Sequence, residues 1–210
     1  MISINVQGST DKIVAELKGT PKLIMKAQVQ ALNRTGDRVR TQVTREVKSS
    51  YAVKAGAVRA ATKIRKASVG GNRRVEVWIL GKRIELIHFN PSAVNPWNIS
   101  GRAHKRRGGG VRIRIKKGGG KKVIEGAFLA TAKSGHELVL LRVPSSDPRA
   151  QGRKRSSPPG RYPVINLTTL SLAHMSGTKL ISRKIITFAD MRYSIEFQAA
   201  LRNQLARANR

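Results

Sequence analysis

The chain has 210 residues, which suits one domain or one domain with large extensions. Apolar residues make up 40% and aromatics only 4%, so the core is predicted to be aliphatic. The 42 Lys and Arg against 11 Asp and Glu give a net charge of +31, which makes the chain repel itself unless an anion neutralises it. The absence of cysteine excludes a disulfide framework and a thiolate metal site, and fits synthesis in a reducing cytoplasm. No signal peptide or membrane span is predicted.

The N-terminal third is predicted to be mainly helical. Alternation over 2–6 predicts a short strand, and Thr20 followed by Pro21 is a typical helix start. A long amphipathic helix is predicted from Pro21 to Lys48, bent at Gly36, and a second helix over 54–66. The apolar face of the long helix holds Ile24, Ala27, Ala31, Leu32, Val39, Val43 and Val47.

The middle of the chain is predicted to form strands. Apolar alternation or short apolar runs occur at 75–79, 83–89, 111–115, 123–131 and 138–143. The last of these is continuously apolar and is predicted to be a buried strand. Together they predict an antiparallel sheet of about five strands.

The C-terminal part returns to helices. A short helix is predicted around 167–175 and a closing helix over 188–209, with Phe188, Met191, Ile195, Ala199 and Leu201 or Leu205 facing inward.

The predicted fold class is therefore α+β: N-terminal long helices, a central antiparallel β-sheet with a basic glycine-rich hairpin, and C-terminal helices. We expect a single domain over 1–210. It would carry a basic glycine-rich insertion or hairpin at 90–122 and a mobile, basic, proline-rich loop at 145–163.

The most distinctive feature is a basic ribbon between two glycine runs, Gly108–Gly110 and Gly118–Gly120. No acidic residue occurs between Glu85 and Glu125. Glycine freedom suggests flexible joints on both sides of a strand. Such a ribbon is predicted to follow a phosphate backbone or the acidic surface of a partner through charge, without reading sequence. Its lack of aromatics argues against single-stranded nucleic acid and favours double-stranded nucleic acid or general charge neutralisation. A solvated hairpin whose charges prevent aggregation is the alternative. The predicted polyanion-binding residues are Arg102, Lys105, Arg106, Arg107, Arg112, Arg114, Lys116, Lys117, Lys121 and Lys122, with Arg149, Arg153, Lys154 and Arg155 in the later loop.

The residues that would mark an enzyme are not clustered in the sequence. The carboxylates are scattered and the four His are far apart, so no metal ligand set and no catalytic residue is predicted. The segment Gly118–Lys122 lacks the spacing of a phosphate-binding loop. We expect no cofactor and no enzymatic activity.

Several motifs in order resemble the minor tail protein Z family of long-tailed, lambda-like phages. They are Ala31-Leu32-Asn33-Arg34-Thr35, the basic stretch that leads into Ile124-Glu125-Gly126-Ala127-Phe128-Leu129, the turn Ser134-Gly135-His136, the strand that ends in Arg142, and Arg161-Tyr162-Pro163-Val164. The resemblance covers about residues 20–207. The segment 90–100 and the loop before Arg161 are longer than the family pattern.

This resemblance implies a structural virion protein at the head-proximal end of a phage tail. Such a tail completion protein joins tail to head and is needed for DNA to pass between them. The implied partners are the tail terminator, the tail tube, the head–tail connector, further copies in a ring (a hexamer is favoured) and double-stranded DNA. The implied location is the virion tail or neck, after synthesis in the host cytoplasm.

The motif residues also carry structural expectations. Gly126 is expected to permit a kink or a close approach, Phe128 to lie in the core, and Tyr162 to fix the return of the loop. Arg142 and Arg161 are expected to bind either the carboxylate of a neighbouring subunit or a phosphate, and the sequence does not rank these two roles.

Two other functions remain open at this stage. A free, non-specific nucleic-acid-binding protein, ribosomal or nucleoid-like, would explain the cations equally well. An enzyme acting on nucleic acid would require carboxylates that are distant in sequence to meet in space.

Overall fold

A computed structural model describes residues 2–3, 21–94, 109–144, 147–150 and 163–208. Two compact units are distinguished. Unit 1 comprises Met1–Val47, Val58–Lys82 and Ser171–Arg210, and unit 2 comprises Lys48–Ala57 and Arg83–Leu170. Helices lie at both ends of the chain and antiparallel strands lie between them, which confirms the α+β class.

Unit 1 is organised around helix α1, Pro21–Ser50, whose last three residues group with unit 2. The predicted apolar positions lie on its buried face, and all of them are buried except Leu32, which is partly buried. Near its start, Ile24, Ala27 and Ala31 form a core with residues of the C-terminal helix α4, Lys179–Ala208. This amphipathic pattern at steps of three and four made the helix predictable.

A three-stranded sheet forms the other layer of unit 1, in the order β1 (Ile2–Ser3), β3 (Glu76–Ile79), β2 (Thr62–Arg65). Both pairings are antiparallel. Gly36, the position of the predicted bend, is a close-packing site. A Cβ there would lie 2.6 Å from Val75 Cγ1 and 3.6 Å from Ile64 Cγ2, so the missing side chain lets the sheet approach α1.

The second predicted helix is only partly correct. Helix α2 covers Ala55–Ala60, and the chain then enters strand β2 instead of remaining helical. Val58 and Thr62 are fully buried, and the Thr62 hydroxyl donates to the Val58 carbonyl at 2.8 Å. The β-branched Thr62 and Ile64 favour the strand once β3 is available as a partner.

Helix α4 begins nine residues earlier than the predicted Phe188 and buries a different face. The buried residues are Ile181, Ile185, Ala189, Tyr193, Glu196, Phe197, Ala200 and Leu201. Met191 and Ile195, predicted to face inward, are 60% and 51% exposed. Apolar residues occur all around this helix, so periodicity alone did not identify the buried side.

Among the described residues, unit 2 contains three small sheets instead of the single predicted one, and the pairings within the first two are antiparallel. The first has the order β5 (Ser92–Val94), β6 (Gly110–Ile113), β7 (Lys122–Glu125). The second has the order β10 (Val164–Asn166), β9 (Glu137–Arg142), β8 (Ala127–Thr131). The third pairs β11 (Thr168–Ser171) with β4 (Arg83–Glu85).

Several predicted elements of unit 2 change type or length. The predicted strand 83–89 becomes β4 followed by a 3₁₀ turn, Leu86–Phe89. The predicted strand 123–131 is split into β7 and β8 at Gly126. Strand β9 is apolar in sequence, yet only Val139 in it is buried. The predicted helix around 167–175 is β11 followed by the short helix α3, Leu172–Ser176. Among the described helices, none is long and apolar enough to cross a membrane.

Candidate nucleic-acid interface

The described part of the basic ribbon is a β-hairpin formed by β6 and β7. Along β6 and the residue after it, Val111 and Ile113 are buried while Arg112 and Arg114 are exposed, which is the alternation of a strand with one apolar face. Arg112 lies directly across from Val123 in β7 and from Ser92 in β5. The buried face anchors the hairpin, and the opposite face presents guanidinium groups to solvent.

The tip of this hairpin is tied to the chain that follows α1. Lys116 forms an antiparallel bridge with the buried Tyr51. Ala52 N–H donates to the Ile115 carbonyl at 2.9 Å, and Lys117 N–H donates to the Ser50 carbonyl at 2.9 Å. The backbone that carries Lys116 and Lys117 is therefore held in place at the turn.

The described residues of the two glycine runs have different surroundings, and their predicted role as flexible joints stays a prediction. Gly110 lies inside β6, where a Cβ would overlap the Ile124 carbonyl oxygen, so it is a close-packing position. Gly119 N–H donates to the Lys116 carbonyl at 3.1 Å and closes the turn. Gly118 and Gly120 have open space around them.

The described cations of the hairpin form a cluster in which none has a carboxylate partner. All six are exposed, and no ion pair with another described residue involves any of them: Arg112, Arg114, Lys116, Lys117, Lys121 and Lys122. In unit 1, by contrast, Asp37, Glu46, Glu76 and Glu196 each pair with at least one Lys or Arg. The uncompensated charge of the hairpin creates a strongly positive local potential.

Arg149, predicted to bind a polyanion, has a carboxylate partner. Its Nη2 and Nε donate to the two carboxylate oxygens of Asp147 at 2.7 and 3.0 Å, respectively. This side-chain hydrogen bonding lowers the pKa of Asp147 and raises the pKa of Arg149. Because its charge is matched locally, Arg149 is a weaker candidate for a polyanion contact than the hairpin cations.

The Gly126-Ala127-Phe128 motif and Arg142 come together in the second sheet. Gly126 has φ of 71° and separates β7 from β8. Phe128 is half-buried, so the core role expected for it is wrong. The Arg142 guanidinium lies 5.5 Å from the centroid of the Phe128 ring, a cation–π contact that positions an exposed charge on β9.

The remaining predicted site residues lie outside the described residues. These are Arg102, Lys105, Arg106, Arg107, Arg153, Lys154, Arg155, Arg161 and Tyr162. The predicted proline-rich loop 145–163 falls there too, apart from 147–150 and 163.

Two features escaped sequence reasoning. Asn33 uses its amide as both donor and acceptor to the backbone of Ala67, at 3.0 and 2.8 Å. Trp78 lies 41% exposed on β3. The Asn33 contact depends on which strands pair, which no local pattern reports. The alternation at 75–79 places Trp78 opposite Val75, Val77 and Ile79 but does not show how exposed its ring is.

The described residues include no group of three or more His, Asp or Glu arranged to hold a metal ion. The two carboxylates that border a shallow cleft between α1 and α4 each have a cation nearby: Asp37 Oδ2 lies 3.6 Å from Lys66 Nζ, and Glu196 Oε1 lies 2.7 Å from Arg192 Nη2. In this arrangement both carboxylates act as ion-pair partners.

Comparison with known proteins gives one match. The family described as Prophage minor tail protein Z (GPZ) matches residues 8–209. A search of curated proteins finds no match, and a search of solved structures finds none either.

Proposed function

Because this chain belongs to the prophage minor tail protein Z family and is thus a structural protein of the phage virion, we propose that it acts as a tail completion protein. It stands at the head-proximal end of the tail, joins tail to head and lines the DNA path. Its neighbours are the tail terminator, the tail tube and the head–tail connector. It has no enzymatic role.

The observation that carries this proposal is the unpaired charge of the β6–β7 hairpin. Six exposed cations stand on a backbone that is anchored at its tip. A phosphate backbone binds such a surface through counterion release, which requires no base contact. A DNA path needs this kind of sequence-independent contact because every segment of the genome passes along it.

The proposed oligomer is a ring of identical chains, with six subunits favoured. A ring allows each subunit to present one hairpin towards a central channel. We further propose that the two units form one functional domain over 1–210, and that the basic segments 90–122 and 145–163 serve the same channel. Arg142 and Arg161 then contact either phosphate or the carboxylate of a neighbouring subunit.

Salt dependence of DNA binding tests the role of the hairpin. The triple variant Arg112→Gln, Arg114→Gln, Lys121→Gln is expected to reduce the slope of log affinity against log salt by about 2.7, or 0.9 per lost phosphate contact. Lys22, Arg202 and Arg207 are also exposed and unpaired among the described residues, so their triple Gln variant is the charge-matched control. Its slope is expected to change by less than about 1.

Equal losses in the two triple variants would mean that DNA contacts the whole basic surface and not this hairpin. That result would remove the hairpin from the proposal. A free nucleic-acid-binding protein is separated from a tail component by quantifying the chain in purified particles, where the proposal requires a fixed copy number per tail.

A further inference from the structure

The sheet of unit 1 has one face on α1 and one face towards solvent. Val75, Val77 and Ile64 belong to the inner side, where Gly36 allows close approach. On the outer side, Trp78 and Leu80 are 41% and 44% exposed. They are two residues apart, and the Leu80 N–H donates to the Ala61 carbonyl at 2.9 Å, so the extended chain continues past β3.

The Trp78 ring is oriented by one hydrogen bond to its own strand. Its indole Nε1 donates to Glu76 Oε2 at 3.0 Å. The same carboxylate has Arg65 Nη1 at 4.0 Å and Arg74 Nε at 3.9 Å, and the Glu76 side chain is only 14% exposed. An exposed aromatic ring that is oriented in advance loses little conformational entropy when a partner covers it.

The surroundings of this ring are cationic. Lys63 lies directly across the strand pair from Trp78, and Arg65 lies across from Glu76. Cross-strand partners share a face of the sheet, so both cations border the apolar pair. Arg65 and Arg74 are 68% and 69% exposed, while Glu76, the carboxylate described on this face, is already engaged with them. The surface has an apolar centre and a positive rim.

We propose that this face, formed by Lys63, Arg65, Trp78 and Leu80, docks another protein of the particle whose surface places apolar side chains among carboxylates. Trp and Arg are the residue types that dominate binding energy at protein interfaces, and a polar rim excludes water around them. The proposal rests on the virion role stated above and names a contact separate from the hairpin.

Charge and composition favour this occupant over two others. A second copy that presented this same face would bring Lys63, Arg65 and Arg74 against their own counterparts. Single-stranded nucleic acid stacks on several aromatics interleaved with cations, whereas this face offers one aromatic beside an aliphatic Leu80 and a carboxylate.

Site-specific photo-crosslinking in assembled particles tests the proposal. The photoreactive residue p-benzoyl-phenylalanine replaces Lys63, which leaves Trp78 in place. The expected crosslink maps to an apolar, Asp- and Glu-rich segment of a different virion protein. In the same background, Trp78→Ala is expected to lower the crosslink yield on the order of tenfold or more, as for other interface anchors. Leu180→Ala, an exposed leucine on α4, is the matched control and should leave the yield unchanged.

Several outcomes overturn the proposal. They are a crosslink to DNA, a crosslink to a second copy of this chain, or a yield that is insensitive to Trp78→Ala. No crosslink from position 63, while the same photoreactive residue at the exposed Gln198 reacts, also overturns it. The thermal unfolding midpoint of each variant shows that the fold is kept.

The virion role is tested separately by immunodetection of the chain in purified particles. Absence from particles contradicts the tail proposal. In that case the docking surface is tested by crosslinking in the producing cells. The crosslink must again map to an apolar segment that is rich in Asp and Glu.

Discussion

Asn33 shows how one side chain joins two elements of unit 1. It lies on α1, and its amide both donates to and accepts from the backbone of Ala67, which follows β2 and is buried. Its position inside the Ala31–Thr35 motif was visible in the sequence. Its contact with Ala67 was not visible, because no local sequence pattern indicates which helix residue will lie beside the residues that follow a strand.

Replacing Asn33 with Ala is expected to destabilise the protein by about 1–3 kcal/mol, because a buried N–H and a carbonyl both lose their partner. Asn203→Ala, at an exposed position on α4, is the control and should change stability by less than about 0.5 kcal/mol. Urea denaturation measures both. Equal urea midpoints for the two variants would show that water satisfies the backbone N–H and carbonyl of Ala67 as well as the Asn33 side chain does.

Tyr193 makes stability depend on pH at the alkaline end. It is 4% exposed in the α1–α4 core and stacks on Phe197, with ring centroids 6.0 Å apart. Burial raises the pKa of its phenol. The folded state therefore holds the phenolic proton more tightly than the unfolded state. The folding stability that results from this difference in pKa is fully present below the unfolded pKa of about 10, and it is lost as pH rises through the folded pKa.

Wild type is accordingly expected to lose more unfolding free energy than Tyr193→Phe between neutral and strongly alkaline pH. The comparison cancels the titration of the many lysines, which is common to both proteins. Urea midpoints at the two pH values measure the difference. Parallel losses in both proteins would mean that the phenol of Tyr193 ionises as readily in the folded chain as in the unfolded one.

At the scale of elements, the contact between α1 and the sheet of unit 1 depends on Gly36. Gly36→Leu is expected to destabilise the protein by about 1–3 kcal/mol, since the new side chain must displace Val75 and Ile64. Gly56→Leu, in α2, has nothing within 4 Å of the new Cβ and is expected to be neutral or stabilising by up to about 1 kcal/mol. Chemical denaturation compares them. A neutral Gly36→Leu would contradict the close approach.

The elements also show how far the sequence determines structure. Helix α1 was predictable to within two residues of its observed end because its apolar stripe has a single buried face. The buried face of helix α4 was not predictable in this way. Met191 and Ile195 are exposed while Tyr193 and Phe197 are buried, yet both pairs fit a helical periodicity. The switch from α2 to β2 depends on pairing with β3, a contact between distant residues.

For the whole molecule, composition alone indicated a polyanion partner but not where the charge is concentrated. The sequence correctly identified the hairpin as basic. The structure adds that carboxylates offset part of the charge of unit 1 while the described hairpin cations have none. Part of this pairing in unit 1 joins residues more than a hundred positions apart, such as Arg34 with Glu196, and part is local, such as Arg192 with Glu196.

The most direct test of the central claim is a cryo-electron microscopy map of the head-proximal end of the tail in DNA-filled particles that contain this chain. We expect the chain to form a ring there, with Arg112, Arg114 and Lys121 within about 10 Å of the DNA, the range over which exposed charges interact. A map that places these residues on the outer surface of the tail, several such lengths from the DNA, would contradict the account.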